Sequence, residues 1–212
     1  MKSKSSVARI VWSLAYLCLV ALVVRMAISS HPLLVSATSQ QDDRKSVEQA
    51  FSSNPQVRVT EMKIGTSVRK FNEEFDESDD WLKKLALEVE NIATKPIIHL
   101  QINLNFPETK ASGNLMSYAI VFGTRPNFRT SVPVKALRLM PGEKLQITLN
   151  EQYDNLERFI RTRHSVNQIH KAQVEIGFII FEDGTAWTAG DFLRPDPNNP
   201  KRYINVGHTI PS

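Results

Sequence analysis

The sequence predicts a mainly β fold, an antiparallel sandwich with one inserted short helix, and an apolar segment precedes it near the N-terminus. Three observations support this prediction. Apolar and polar residues alternate in several short segments, which is the pattern of strands with one buried and one solvated face. One segment instead repeats its apolar residues at helical spacing. An uncharged run near the start is bounded on both sides by basic residues.

The uncharged run covers residues 10–24 and ends at Arg25. Three basic residues precede it, namely Lys2, Lys4 and Arg9. A basic start followed by an apolar stretch is typical of export signals. The positive-inside rule then predicts a cytoplasmic N-terminus, with the remainder of the chain outside the cytoplasm.

Two alternatives remain for this segment. Its length of fifteen residues fits the apolar core of a signal peptide and is shorter than the roughly 20 residues of a spanning helix. Arg25 can snorkel, however, so that residues 26–28 add apolar length, and small-residue cleavage patterns occur at 27–29 and 35–37. Residues 1–28 are therefore predicted to be a signal peptide or a membrane anchor, with the lipid bilayer as partner of residues 10–28. The domain would be membrane-anchored outside the cytoplasm, or secreted or periplasmic after cleavage.

Cys18 is the single cysteine and lies inside the uncharged run. Lipid attachment would require a small residue before the cysteine, whereas Leu17 occupies that position. An ordinary apolar helix residue is the favoured interpretation. The exported part therefore has no disulfide and depends on its hydrophobic core for stability.

The net charge of +4 indicates topology rather than nucleic-acid binding. Four of the 26 Lys and Arg residues lie in the N-terminal segment, and the 22 that remain balance the 22 Asp and Glu residues. A neutral domain lacks the basic surface that nucleic acid requires. No nucleic-acid partner is predicted.

Residues 29–55 are polar and contain two prolines, so they are predicted to be a linker, with a short helix at 43–51 as an alternative for part of it. Residues 56–212 are predicted to be the sandwich domain. The proline-rich run 190–200 predicts successive turns near the end of the chain.

The strongest strand signal runs from residue 98 to residue 106, where apolar residues occupy every second position. The opposite face, which begins with His99, is predicted to be solvated. Further strands are predicted at 57–62, 85–90, 116–122, 132–139, 145–149 and 174–181. Residues 151–164 predict the amphipathic helix, and Asp183-Gly184 predicts a hairpin between Phe181 and Trp187. Short strands with intervening turns indicate an immunoglobulin-like sandwich.

Four short motifs carry a resemblance to known proteins. They are the turn Asn91–Ile97 before the long strand, the turn Pro141–Glu143, the hairpin Phe181–Trp187, and Asp80–Leu82 before the first core strand. Over about residues 57–206 the chain resembles uncharacterised bacterial exported proteins with an immunoglobulin-like β-sandwich domain. The resemblance implies that fold and an exported location, and it implies no catalytic residues.

The densest charge in the chain is acidic. Six carboxylates occupy eight positions: Glu73, Glu74, Asp76, Glu77, Asp79 and Asp80. Clustered oxygens can bind calcium, but the segment lacks the glycine and the spacing of an EF-hand, so a solvated loop is favoured. Its mutual repulsion predicts that the loop is mobile or has a cationic partner, for which Arg158, Arg161 and Arg163 are candidates. The acidic residues, with Trp81 and Trp187, are the predicted interaction surface, although core packing is the alternative for both tryptophans.

Signatures of catalysis and of metal binding are missing from the sequence. The five histidines form no close pair, and there is no nucleophile elbow, zinc-protease motif or phosphate-binding loop. No catalytic residue, metal or cofactor is predicted. The sequence therefore favours a non-catalytic binding or interaction module, with another envelope protein as a candidate partner. The alternatives are an extracytoplasmic hydrolase that uses the carboxylates at 73–80, or Asp183 with Asp191, and a structural subunit of an envelope complex.

Overall fold

The structure is a computed structural model that describes residues 44–124, 136–150, 152–163 and 168–207. All of them belong to one compact unit, Asp43–Ser212. Within these ranges the chain is mainly β, as predicted, with one α-helix, α1 (Tyr153–Arg163). No helix in the described ranges is long and apolar enough to cross a membrane. The predicted N-terminal anchor lies outside them.

Twelve strands form the described part of the domain. They are β1 (Lys45–Gln49), β2 (Val57–Ile64), β3 (Ser67–Arg69), β4 (Glu74–Phe75), β5 (Leu85–Asn91), β6 (Ile97–Phe106), β7 (Met116–Gly123), β8 (Lys144–Thr148), β9 (Lys171–Phe181), β10 (Ala186–Thr188), β11 (Asp191–Asp196) and β12 (Asn199–Gly207). Short 3-10 helices occur at Trp81–Lys84 and Pro107–Ser112. Strands β5 to β9 and helix α1 confirm the elements predicted there. Half of the predicted strand at 132–139 lies outside the described residues, and the described half forms no strand but only an isolated bridge between Leu139 and Ile97.

The strands form two sheets. The smaller sheet has the order β3-β2-β5-β8, and all its pairs are antiparallel. The larger sheet has eight strands and is centred on β9. On one side β9 pairs with β6, which in turn pairs with β7. On its other side β9 pairs with two strands at different points along its length. The first is β1, which also pairs with β4, and the second is β10, which leads on to β11 and β12.

One pair departs from the predicted antiparallel arrangement. β1 runs parallel to β9, with Ser46 opposite Lys171 and Gln49 opposite Val174. The alternative of a short helix at 43–51 is therefore wrong for the described part of that range. Val47 is fully buried while its neighbours are more exposed, so a period of two governs this segment. β1 also lies within the range that the sequence assigned to a linker.

The two sheets share one hydrophobic core. The larger sheet contributes Leu100, Ile102 and Leu104 from β6, and the smaller sheet contributes Leu87 and Val89 from β5. All five side chains are essentially inaccessible to water. Each such burial stabilises the fold by about 1.5–3 kcal/mol relative to exposure, so this stripe contributes strongly to holding the two layers together.

The predicted solvated face of β6 is wrong at His99, which is only 1% exposed. Phe178 of β9 packs edge-to-face on the imidazole with ring centroids 6.1 Å apart. Tyr203 of β12 packs in the same way on Phe178, at 5.9 Å. The aromatic rings thus cover a position that the alternation alone assigns to solvent. The proline-rich run, predicted as successive turns, contains a turn at 197–198, but most of it forms β11 and the start of β12.

Asn91 fixes the corner at which the chain passes from the smaller sheet to the larger one. Its fully buried side chain donates to the carbonyls of Lys95 and Leu139, both at 2.9 Å, and accepts from the amide of Ala93 at 2.9 Å. Its own carbonyl accepts from the amide of Gly142 at 2.8 Å. One residue therefore satisfies main-chain groups in two separate turns.

Gly123 and Gly142 give a matched test of backbone conformation. Both have positive φ, +72° and +78°. A Cβ at Gly123 would overlap the carbonyl oxygen of Ile98, whereas a Cβ at Gly142 would meet nothing. We expect Gly123→Ala to lower the free energy of unfolding by more than about 2 kcal/mol, and Gly142→Ala by about 1 kcal/mol. Urea denaturation measures both, and equal losses would contradict the inferred overlap.

Candidate functional site

Both tryptophans of the predicted interaction surface lie in the core. Trp81 and Trp187 are fully buried, so the alternative of core packing is correct for both. The indole of Trp81 donates to the carbonyl of Ile169 at 2.7 Å and meets the ring of Phe75 edge-on at 5.4 Å. Neither indole can contact a partner in this conformation.

The acidic segment is exposed at most positions, and neighbouring cations neutralise much of it. Arg44 pairs with Glu74 at 2.7 Å, and Lys84 pairs with Glu77 at 3.1 Å. The need for cationic partners is confirmed, but the partners found lie beside β1 and in the 3-10 helix at 81–84. The described ion pairs of this segment do not include Arg158, and the side chains of Arg161 and Arg163 lie outside the described residues.

A pocket of about 310 Å³ lies within the acidic segment. Its lining residues are Lys45, Asp76, Glu77, Asp79 and Gln168. Lys45 is almost fully buried and its ammonium lies 3.5 Å from Asp79, which also accepts from Gln168 at 2.7 Å. Because the buried cation offsets the carboxylates, the pocket is not a ready cation site. The described residues contain no group of three or more His, Cys, Asp or Glu placed to hold a metal.

A hydrogen bond from Ser78, assisted by the charge of Lys84, holds the pKa of Asp80 below its usual value.

The two other carboxylates considered for a hydrolase, Asp183 and Asp191, each bind a different neighbouring side chain. Asp183 binds Lys95 at 2.6 Å, and Asp191 accepts from Asn205 at 2.7 Å. Each carboxylate therefore stabilises its own turn or hairpin.

A larger cleft, which sequence reasoning missed, opens between the two sheets. Its volume is about 580 Å³, within the range of about 300–1,000 Å³ that is typical of ligand sites. Residues of β2, of the middle of β9 and of the segment 49–55 that follows β1 line it, together with Phe71, Asn72 and Ala189. The lining residues are Gln49, Ala50, Phe51, Ser52, Ser53, Pro55, Val57, Val59, Phe71, Asn72, Val174, Glu175, Ile176 and Ala189.

The floor of the cleft is apolar because alternate residues of two strands face each other across the layers. Val57 and Val59 come from β2, and Val174 and Ile176 come from β9. Residues two apart in a strand share a face, so each pair lines the cleft together. This arrangement gives a ligand an apolar surface on both sides.

The cleft exists because two strands share one edge of β9. The ladder with β1 ends at Val174, and the ladder with β10 begins at Ile179. The hydroxyl of Thr188 binds the carbonyl of Gly177 at 2.7 Å. Between these contacts, none of the described strands lies opposite Glu175 and Ile176 on this side.

Close contacts fix the rim of the cleft. The amide of Ala50 donates to the carbonyl of Val174, and the amide of Asn72 donates to the carbonyl of Val47, each at 2.8 Å. Gly190 has φ of +97°, and a side chain there would overlap Ser53. The glycine therefore permits the segment 49–55 to close against the turn before β11.

The electrostatic character of the cleft is simple. Among the described residues that line it, Glu175 is the one ionisable group. Its carboxylate accepts from the amide nitrogen of Asn105 at 2.9 Å. Phe51 stands at the rim with 95% of its surface exposed, the largest exposure among the large apolar side chains described. Because Glu175 alternates with Val174 and Ile176, its side chain points away from the apolar floor. The site is thus apolar, with an aromatic side chain beside its opening.

Comparison of the chain with protein-family models, with curated proteins and with solved structures gives no match. The functional assignment therefore depends on the residues of this chain alone.

The pair of Asp183 and Lys95 predicts a pH-dependent contribution to stability. Partial burial raises the pKa of Asp183, but hydrogen bonds from Lys95 and Thr185 outweigh it and set the pKa below its usual value. The unfolded chain then takes up the proton first, so the stabilisation is present above about pH 4 and is lost as the pH falls through the folded-state pKa.

We expect Asp183→Asn to lower the free energy of unfolding at neutral pH by about 0.5 kcal/mol, since solvent screens a side chain that is 44% exposed. The deficit should shrink as the pH falls below about 4 and vanish once the pH is below the folded-state pKa of Asp183. Urea denaturation across this range measures it, and Lys95→Met should show the same pH dependence. A deficit that stays constant with pH would contradict the assignment.

Proposed function

We propose that the protein is an exported, membrane-anchored and non-catalytic binding module whose ligand occupies the cleft between the two sheets. In this proposal residues 10–28 anchor the chain in the bilayer, and the domain lies outside the cytoplasm. The proposal includes an immunoglobulin-like strand arrangement and kinship with the exported bacterial proteins that the chain resembles. Another envelope protein is the proposed partner.

The observation that carries the proposal is the cleft itself. It combines a ligand-sized volume, apolar walls from two strands and a rim of small polar side chains. Specific binding sites commonly join a mostly apolar concave surface with a few polar groups. Recognition by such a site requires no catalytic residue. This agrees with the finding that Asp183 and Asp191 bind Lys95 and Asn205 rather than each other.

The compartment is tested with a reporter enzyme that is active only outside the cytoplasm. We expect activity when it is fused after Ser212 in the full-length chain, because the basic residues that precede the apolar run favour a cytoplasmic N-terminus. A matched fusion to a reporter that is active only inside the cell should be silent. The reverse pattern would contradict the proposal, and recovery of the fusion in the membrane fraction distinguishes an anchor from a cleaved signal.

Occupancy of the cleft is tested with Nile red, a neutral dye that fluoresces in apolar surroundings. We expect the purified full-length protein to bind it saturably, and Ala50→Trp to abolish binding because the indole fills the cleft from its rim. Val68→Trp is the matched control, since Val68 lies on β3, is 61% exposed and does not line the cleft.

Denaturation in urea shows whether the Ala50→Trp variant is folded. Unchanged dye binding by a folded Ala50→Trp variant, or equal loss in both variants, would refute the cleft as the binding site.

A further inference from the structure

We infer that the cleft holds the hydrocarbon chain of an uncharged single-chain amphiphile, whose polar head remains at the rim while Phe51 covers the chain. This inference rests on the proposed function and names the class of ligand. Four observations support it: the engaged main chain beside the cleft, the charge of the described lining, the change of polarity from floor to rim, and the exposure of Phe51.

The main chain beside the cleft offers a ligand few hydrogen bonds. At one end of the gap along β9, the amide of Ala50 donates to the carbonyl of Val174 at 2.8 Å. At the other end, the hydroxyl of Thr188 donates to the carbonyl of Gly177 at 2.7 Å. A ligand rich in polar groups would lose hydration inside the cleft without replacing those hydrogen bonds, which is costly. A hydrocarbon chain carries no such groups, so its burial is favourable along its whole length.

The described lining presents no charge to the interior of the cleft. It contains no Lys, Arg or His, and Glu175 is its one ionisable residue. The Glu175 carboxylate accepts from Asn105 at 2.9 Å, on the face of β9 opposite to Val174 and Ile176. A charged head group would meet no counter-charge here, and a charge beside an apolar surface loses hydration. An uncharged head group fits this site.

Burial and polarity change together from the floor of the cleft to its rim. The buried residues of the lining are apolar, namely Val57, Val174 and Ile176. The exposed residues of the lining include three with amide or hydroxyl side chains, namely Gln49, Ser53 and Asn72. Amide and hydroxyl groups both donate and accept hydrogen bonds, so they suit a hydroxyl head group. An apolar floor beneath a neutral polar rim matches the two ends of an amphiphile.

Phe51 lies at the rim, between two fixed points of its segment. Ala50 is bonded to β9, and Ser53 lies so close to Gly190 that a side chain at the glycine would overlap it. The Phe51 side chain is 95% exposed, so it gains nothing from the core of its own domain. Contact with a bound hydrocarbon chain would remove both surfaces from water, and aromatic residues often dominate binding in this way.

The test compares a series of n-alkanols, from butanol to dodecanol, on purified full-length protein in phosphatidylcholine nanodiscs. Nanodiscs avoid detergent, which is itself a single-chain amphiphile. Displacement of Nile red reports binding. The same titration on Ala50→Trp, in which the indole fills the cleft, gives the signal of dye and alkanol in the bilayer, and this signal is subtracted. Affinities refer to the concentration of free alkanol in water.

We expect the affinity to rise about fourfold for each added methylene and to level off once the chain fills the cleft. Partition into the bilayer continues to rise with chain length, so the plateau is specific to the cleft. Phe51→Ala should weaken dodecanol binding about fivefold to tenfold, whereas the exposed control Val68→Ala should not change it. Sodium dodecanoate should bind no more tightly than dodecanol, because the described lining has no counter-charge.

An affinity that is independent of chain length, or that rises without a plateau, would overturn the inference. So would tighter binding of dodecanoate or an unchanged affinity in Phe51→Ala. Saturable dye binding that no alkanol displaces would also overturn it, while the proposed function would stand with a ligand of another class. Failure of the dye itself to bind protein that urea denaturation shows to be folded would remove the cleft as a binding site, and the inference with it.

Discussion

A single buried asparagine organises the junction between the two sheets. Asn91 ends β5, and its side chain and main chain satisfy groups in the turn before β6 and in the turn before β8. In a buried corner an unpaired peptide group costs about 1–3 kcal/mol, so both turns are held to the geometry that Asn91 accepts. The relative placement of β5, β6 and β8 follows from that corner, and with it the meeting of the two inner faces.

The second organising feature is the division of one edge of β9 between two ladders. A continuous partner would have closed the sheet and left a sandwich without an opening. Because β1 departs at Gln49 and β10 arrives at Trp187, the sheet instead contains a short interruption. The apolar interior is accessible at that point. The same interruption supplies the route to the core, so the candidate site is a consequence of topology rather than of one motif.

The sequence predicted the secondary structure correctly where neighbouring residues determine it. The alternation from Ile98 to Phe106 and the Asp183-Gly184 turn identified β6 and the hairpin of β9 and β10, since both patterns are set by neighbouring residues. The sequence did not predict burial correctly where residues distant in the chain cover a side chain. His99 is covered by Phe178 and Tyr203, which lie far along the chain, and no periodicity reports that contact. The sequence did not predict the cleft for the same reason, because the cleft lies where the β1 and β10 ladders leave a gap along β9.

The parallel pairing of β1 with β9 also sets the order in which the domain can form. Ser46 lies opposite Lys171, so β1 cannot pair with β9 until a segment 171 − 46 = 125 residues further along the chain has emerged. Non-local parallel pairs assemble slowly because the entropy of closing a long loop must be overcome first. During that interval the central strand presents a longer bare edge to its surroundings. A nascent domain of this topology is therefore exposed to mispairing on one flank until β1 docks.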